Sequence, residues 1–101
     1  MFDCSSKNPL VSKGKLHQLI IEFGNVPNAD IQYYEGYLDT EGNFVSLGVN
    51  KIHLQDREEE KDEDGNVIQE ASTDFSDLLD LIHSTSNLEE DIEGFLVEKL
   101  Q

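Results

Sequence analysis

Length, composition and charge restrict both the fold and the class of function of this chain. It has 101 residues, a size at which one domain can bury a modest core without metals or disulfides. Its 22 acidic residues outnumber its 7 Lys and Arg residues, and the formal net charge of −15 disfavours direct binding to nucleic-acid phosphates. The single cysteine, Cys4, excludes an internal disulfide.

Targeting and cofactor signals are absent from the sequence. No segment reaches the ~20 apolar residues of a membrane-spanning helix, and the first 15 residues contain no apolar stretch of signal-peptide length. No glycine-rich phosphate loop, zinc-binding helix motif or Cys/His cluster occurs. We therefore expect a soluble protein that is cytoplasmic at synthesis, has no membrane partner and needs no cofactor.

The N-terminal segment differs from the rest of the chain in both pattern and charge. Residues 1–15 follow neither a strand nor a helix period, and they carry three lysines against one aspartate. We predict that they form an extended or flexible arm, and that residues 16–101 form a single domain. The apolar residues of the arm have no expected place in so small a core, and its lysines favour an acidic neighbour. Candidate partner contacts in this segment are Phe2, Leu10, Lys13 and Lys15.

Strand periodicity predicts an antiparallel meander in the middle of the chain. The apolar residues of the third strand switch parity, which predicts a β-bulge near Val49. Three tyrosines raise the strand propensity of the second strand; we expect two of them to face the core and Tyr34 to be exposed as an interface contact. The predicted strands are residues 16–23, 30–38, 43–55 and 66–69.

A turn motif occurs twice, as DTEGNFV at residues 39–45 and as DEDGNVI at residues 62–68. An EF-hand calcium loop has oxygen ligands at its first, third and fifth positions, Gly at the sixth and a bidentate Glu at the twelfth. With the glycine of each copy at the sixth position, the twelfth position falls on Gly48 in the first copy and on Ala71 in the second. We therefore interpret both copies as hairpin turns, in which Gly supplies a positive φ.

The most acidic stretch of the chain precedes the second turn. Residues 56–64, DREEEKDED, contain seven acids and two bases. So many charges cannot be buried together, which predicts a solvated, projecting segment. Candidate partner contacts in this segment are Glu58, Glu59, Glu60, Asp62, Glu63 and Asp64.

The last third of the sequence has helical periodicity. Apolar residues recur with helical spacing from Phe75 to Ile82 and from Leu88 to Leu100, which predicts two amphipathic helices. Ser72 or Thr73 is the expected N-cap of the first helix, and Ser86 with Glu89 has the spacing of a capping box for the second. The predicted fold class is α+β: a small antiparallel β-meander of about four strands, packed against a C-terminal two-helix hairpin, with an extended N-terminal arm.

Two classes of function agree with these features, and neither is enzymatic, because Cys4 and the three histidines follow no catalytic spacing. The first is a structural or assembly protein, a small subunit of a homo- or hetero-oligomeric complex such as a virus particle, in which the basic arm contacts the acidic body of a neighbour. The alternative is an inhibitor that mimics nucleic acid and blocks a basic DNA- or RNA-binding site on a partner protein. The apolar residues of the arm favour the assembly class.

Overall fold

A four-stranded antiparallel sheet and two helices form the domain. The structure is a computed structural model that describes residues 1–4 and 6–100. The strand order in the main sheet is β1-β2-β3-β4, and β5 pairs with β6 in a separate two-stranded hairpin. The elements are β1 (Phe2–Asp3), β2 (Lys13–Glu22), β3 (Asn28–Leu38), β4 (Phe44–Gln55), β5 (Glu60–Lys61), β6 (Val67–Gln69), α1 (Asp74–Ser84) and α2 (Leu88–Leu100).

The predicted fold class, a meander followed by a helical hairpin, is confirmed, although one strand comes from elsewhere in the chain. The fourth strand of the main sheet is β1, at the start of the N-terminal segment. The short strand predicted after the second turn exists as β6, but it pairs only with β5. The meander proper therefore has three long strands, and a two-residue strand closes part of one edge.

The core lies between one face of the sheet and the two helices. Central strand β3 alternates buried residues on this face with less buried residues on the other, and its partners on β4 and β2 point to the same side. Both helices contribute the apolar stripe that the sequence predicts. The fully buried side chains of largest volume are Ile31, Leu78, Ile92 and Leu96.

A bulge in β4 accounts for only part of the parity switch and lies closer to the turn than predicted, since Val45 shares the face of Ile52 while Val49 lies on the opposite face. Gly36 is opposite Ser46 and Glu35 is opposite Gly48, so that Leu47 is the additional residue in β4. A Cβ atom on Gly36 would lie 1.8 Å from the carbonyl oxygen of Val45. The β4 backbone therefore approaches β3 at a position that only glycine can occupy, and this contact determines where the bulge forms.

The start of the N-terminal segment, predicted as an extended or flexible arm, packs on the rest of the domain. Phe2 is only 7% exposed, and its ring lies edge-on to Tyr33 with a centroid distance of 5.7 Å. Gly14 faces this ring without a side chain, since a Cβ there would lie 2.4 Å from it. The expectation that Phe2 has no place in the core was therefore wrong, because a glycine in β2 makes room for it. Lys13 and Lys15 belong to β2, which begins three residues before the predicted strand.

A partly buried ion pair attaches the same segment to α2. Glu93 is 6% exposed on the core side of the helix. The amino group of Met1 donates a hydrogen bond to Glu93 Oε1 at 2.8 Å and lies 2.7 Å from Oε2. A carboxylate removed from water in this way requires such a partner, and the pair links the start of β1 to the last helix.

The N-cap of the second helix lies one residue after the predicted N-cap. Asn87, rather than Ser86, caps α2: its Oδ1 accepts a hydrogen bond from the backbone N–H of Glu90 at 3.3 Å, and its Nδ2 donates to the Glu90 carboxylate at 3.1 Å. Asn87 is therefore the N-cap in place of the expected Ser, but the box is not reciprocal, because the backbone N–H of Asn87 donates to Thr85 Oγ1 at 3.1 Å.

We expect the close approach at the bulge to make Gly36→Ala strongly destabilising. The added methyl group collides with backbone atoms that cannot rotate away, and the free energy of unfolding should fall by about 3 kcal/mol. Gly48→Ala is the matched control, since a Cβ at this other glycine of the bulge region meets nothing within 4 Å. Urea denaturation of both variants measures the difference; equal effects would contradict this account of the bulge.

Candidate protein interaction surfaces

The sheet face opposite the helices has no covering element within residues 1–4 and 6–100. Its middle consists of two rows of side chains across β2, β3 and β4, and we call this surface the open face. The register places Lys15, Tyr34 and Val49 in one row and Gln18, Gln32 and Lys51 in the next. Neighbouring strands lie about 4.8 Å apart, so each row spans about 10 Å.

The open face is not uniformly polar. Val49 is 57% exposed, and Ile20 and Leu38 are also exposed on this side of the sheet. Tyr34 is half-buried between its strand neighbours, and the ring of His17 lies against it with a centroid distance of 4.5 Å. His17 reaches this position because it is the additional residue of a bulge in β2. Aromatic and aliphatic side chains therefore occupy the middle of the surface.

Electrostatically, the open face differs from the rest of the molecule. Lys13 forms an ion pair with Asp3, which lowers the pKa of that carboxyl through a hydrogen bond and through charge. At the other end of the face, His53 Nδ1 lies 2.8 Å from Asp30 Oδ1. Lys15 and Lys51 between them form no ion pair with any residue that the structure describes. The middle of the face therefore carries uncompensated positive charge in a chain of net charge −15.

A second candidate surface projects from the end of β4. Residues 56–72, which we call the acidic hairpin, contain eight acids and two bases and include β5 and β6. Arg57 and Ser72 exchange two backbone hydrogen bonds of 2.9 Å at its base. All side chains from residue 58 to residue 68 are exposed, as predicted for this stretch.

Asp56 fixes the base of the acidic hairpin to α1. Its Oδ1 accepts a hydrogen bond from the backbone N–H of Ser76 at 3.0 Å, and its Oδ2 accepts another from the Ser76 hydroxyl. The hydroxyl first, and then the backbone N–H, hold the pKa of Asp56 below its usual range. The helix is thus capped by a carboxylate 18 residues before its first residue, whereas the side chain of Thr73, at the N-cap position, forms no capping hydrogen bond.

The two copies of the turn motif have the same hydrogen bonds, which confirms the hairpin interpretation. Asp39 Oδ1 accepts backbone hydrogen bonds from residues 41 and 43 at 2.9 and 2.8 Å, and Asp62 Oδ1 accepts from residues 64 and 66, both at 2.9 Å. The glycines have φ of +84° at Gly42 and +83° at Gly65. Within residues 1–4 and 6–100, no group of three His, Cys, Asp or Glu side chains is arranged to hold a metal ion.

The two sides of the acidic hairpin carry different charge. Lys61 Nζ lies 3.4 Å from the Glu59 carboxylate, so these alternate residues share one side, and Arg57 has the same parity. Glu58 and Glu60 have the opposite parity, and Gln69, the partner of Glu60, donates a hydrogen bond to the Glu58 carbonyl at 2.8 Å. Alternate residues of an extended strand are about 7 Å apart. One side of the hairpin therefore presents carboxylates without a cation between them.

The structure separates the candidate residues into groups. Lys13, Lys15 and Tyr34 lie on the open face, and Glu58, Glu59, Glu60, Asp62, Glu63 and Asp64 lie in the acidic hairpin. Phe2 is buried in the core, and Leu10 is 64% exposed in the turn before β2.

Sequence reasoning missed four residues of the open face: Gln18, Gln32, Val49 and Lys51. The sequence does contain a pattern that indicates them: residues 4–21 and 42–55 contain no Asp or Glu, although the chain has 22 acids. These two acid-free stretches include most of β2 and all of β4, the strands on either side of β3.

Cys4 has the environment of a structural thiol. Burial first, and then the negative charge of Glu35, raise the pKa of the Cys4 thiol. Burial likewise raises the pKa of the neighbouring Tyr33 to about 12. A thiol whose pKa is raised is less ionised at neutral pH and is therefore a weaker nucleophile.

Comparison with known proteins gives no match to the chain, whether by family model, by curated sequence or by solved structure. Among the helices of residues 1–4 and 6–100, none has both the length and the apolar character needed to cross a membrane. The two surfaces are therefore interpreted from their own geometry and charge.

We predict that Asp56→Asn reduces the dependence of stability on pH under acidic conditions. The folded-state pKa of Asp56 is depressed, so its contribution is present above the unfolded pKa of about 3.9 and is lost as the pH falls through the folded value. Asn retains an acceptor but cannot ionise, so the thermal midpoint should fall less steeply between about pH 5 and pH 2. Circular dichroism melts across this pH range measure how the thermal midpoint depends on pH.

Asp80→Asn is the control for that experiment, because Asp80 is exposed on α1 and its side chain accepts none of the hydrogen bonds of the described residues. It removes the same charge beside the same helix, without removing a hydrogen bond to its first turn. Identical pH profiles for the two variants would contradict the role of Asp56 as a charged cap.

Proposed function

We propose that this protein is a non-enzymatic assembly subunit, a small component of a larger protein complex such as a virus particle. The observation that supports the proposal is the open face, a long sheet surface with exposed apolar and aromatic groups and no cover of its own. On this proposal, the protein is cytoplasmic at synthesis and afterwards part of the assembled particle.

The composition of the open face argues for a partner rather than for solvent. Antiparallel sheets commonly leave one face in water, and such faces are usually polar. Here Ile20, Leu38 and Val49 are exposed, and the half-buried ring of Tyr34 lies in the middle. Tyr is a frequent energetic anchor of protein interfaces, because it offers apolar area and a hydrogen-bonding hydroxyl with little rotamer entropy to lose.

The structure changes how a neighbour would be contacted. A free arm would need an exposed Phe2, but this side chain fills the domain's own core. Lys15 instead lies on strand β2, directly opposite Tyr34 of β3. A contact made by a preformed sheet costs less ordering entropy than one made by a flexible arm. The raised pKa of the Cys4 thiol supports the non-enzymatic part of the proposal.

Val49→Glu is expected to weaken assembly without unfolding the domain. The substitution places a carboxylate in the middle of the open face, where a partner would have to bury it, while Val49 itself is 57% exposed and contributes little to the core. Sedimentation velocity over a range of protein concentrations should show a smaller weight-average mass than for the unmodified chain. Circular dichroism and thermal melts verify that the fold is retained.

Val26→Glu is the matched control, because Val26 is 55% exposed in the connection between β2 and β3, outside both surfaces, and the substitution is the same. It should leave the weight-average mass closer to that of the unmodified chain. If Val49→Glu has no greater effect than Val26→Glu, the open face is not an assembly surface.

The acidic hairpin supports a second candidate, the nucleic-acid mimic. Its exposed carboxylates project from the domain on a separate two-stranded sheet, where they are accessible to a basic groove. Such a mimic must displace DNA or RNA from a basic protein, and its affinity must fall steeply as salt rises. Competition assays with Glu58→Lys/Glu60→Lys against Glu89→Lys/Glu98→Lys on α2 test this function; equal loss in both variants would indicate only nonspecific charge.

A further inference from the structure

We propose that the open face binds the acidic hairpin of a second copy of this chain, so that copies associate head to tail. The inference rests on the proposed assembly function and specifies its contact. The occupant of the open face is a second copy, which binds through the side of its hairpin that carries Glu58 and Glu60.

Charge complementarity is the first argument. Lys15 and Lys51 have no ion pair within the described residues, although the chain has three times as many acids as bases. Glu58 and Glu60 have the same parity on the hairpin, and neither forms an ion pair with a residue that the structure describes. Each surface thus lacks the charge that the other offers, which favours association and sets its orientation.

Dimensions are the second argument. Lys15 on β2 and Lys51 on β4 flank the strand β3, about 10 Å apart across the sheet and one row apart along it. A two-stranded hairpin is about 4.8 Å wide between its strand axes, so it fits between the two lysines, above Tyr34. The flexible lysine stems can adjust the position of their ammonium groups to carboxylates about 7 Å apart.

The hairpin cannot make this contact with its own sheet. It leaves β4 and returns to α1, whose Phe75 and Leu78 are buried in the core on the other face. Asp56 and the Arg57–Ser72 bridge hold its base beside that helix. The contact must therefore form between molecules, and where each copy uses its face for one neighbour and its hairpin for another, the association extends into a ring or a filament.

A charge-swap experiment tests the proposal. One variant carries Lys15→Glu/Lys51→Glu on the open face, and the other carries Glu58→Lys/Glu60→Lys on the hairpin. Sedimentation velocity at low ionic strength should show that each variant alone self-associates at least about tenfold more weakly than the unmodified chain, because like charges then face each other. An equimolar mixture should recover association, since the reversed face of one variant matches the reversed hairpin of the other.

Two controls make the result specific. Glu89→Lys/Glu98→Lys changes the net charge as the hairpin variant does, but on α2, and on its own it should self-associate as the unmodified chain does, since both contact surfaces are intact. Salt should dissociate the unmodified assembly, since exposed charges are screened beyond about 10 Å at 0.1 M. Circular dichroism verifies that every variant is folded.

The outcomes distinguish this inference from the function on which it rests. If the unmodified chain self-associates but the charge-reversed variants do so equally well, the hairpin contact is overturned while the assembly function stands. A loss of association in the single variants that the mixture does not reverse also overturns the contact. If the unmodified chain stays monomeric at the highest soluble concentration and low salt, a second copy is not the occupant. Val49→Glu then tests whether a different protein covers the face.

Discussion

A mismatch of lengths between strands and helices determines most of this structure. Strands β3 and β4 have 11 and 12 residues, which extend about 37 to 41 Å at the usual rise. The helices have 11 and 13 residues, only about 17 to 20 Å. They therefore cover about half of one sheet face and none of the other, and the molecule is elongated, with extents of 57 × 32 × 19 Å. The N-terminal segment supplies additional cover where it adds Phe2 to the core.

Local chemistry made part of this fold predictable. The two turns could be recognised because Asp and Gly at the required spacing satisfy their own backbone hydrogen bonds, whatever surrounds them. The helices could be recognised from their apolar period. The errors concern contacts between segments distant in sequence: Phe2 depends on the missing side chain of Gly14, and the position of the bulge depends on Gly36 against Val45. No periodicity within a single strand contains that information.

Of the two candidate surfaces, one could be predicted from the sequence and the other could not. Charge density alone indicated the acidic hairpin, since a run of carboxylates must stay in water. The open face is a product of register: Lys15 and Lys51 are 36 positions apart, and only the alignment of three strands places them around Tyr34. Two bulges, at His17 and Leu47, shift that register, so a count of alternating residues could not have identified which side chains share the face.

The separate pairing of β5 with β6 has a consequence for how this protein can vary. Because the hairpin joins the main sheet by no ladder and its backbone ends meet at Arg57 and Ser72, its tip can change in length or charge while the core residues keep their contacts. On the proposed assembly, folding and recognition are assigned to different parts of the chain. Related molecules with the same scaffold and differently charged hairpins would share an architecture and still associate only with their own kind.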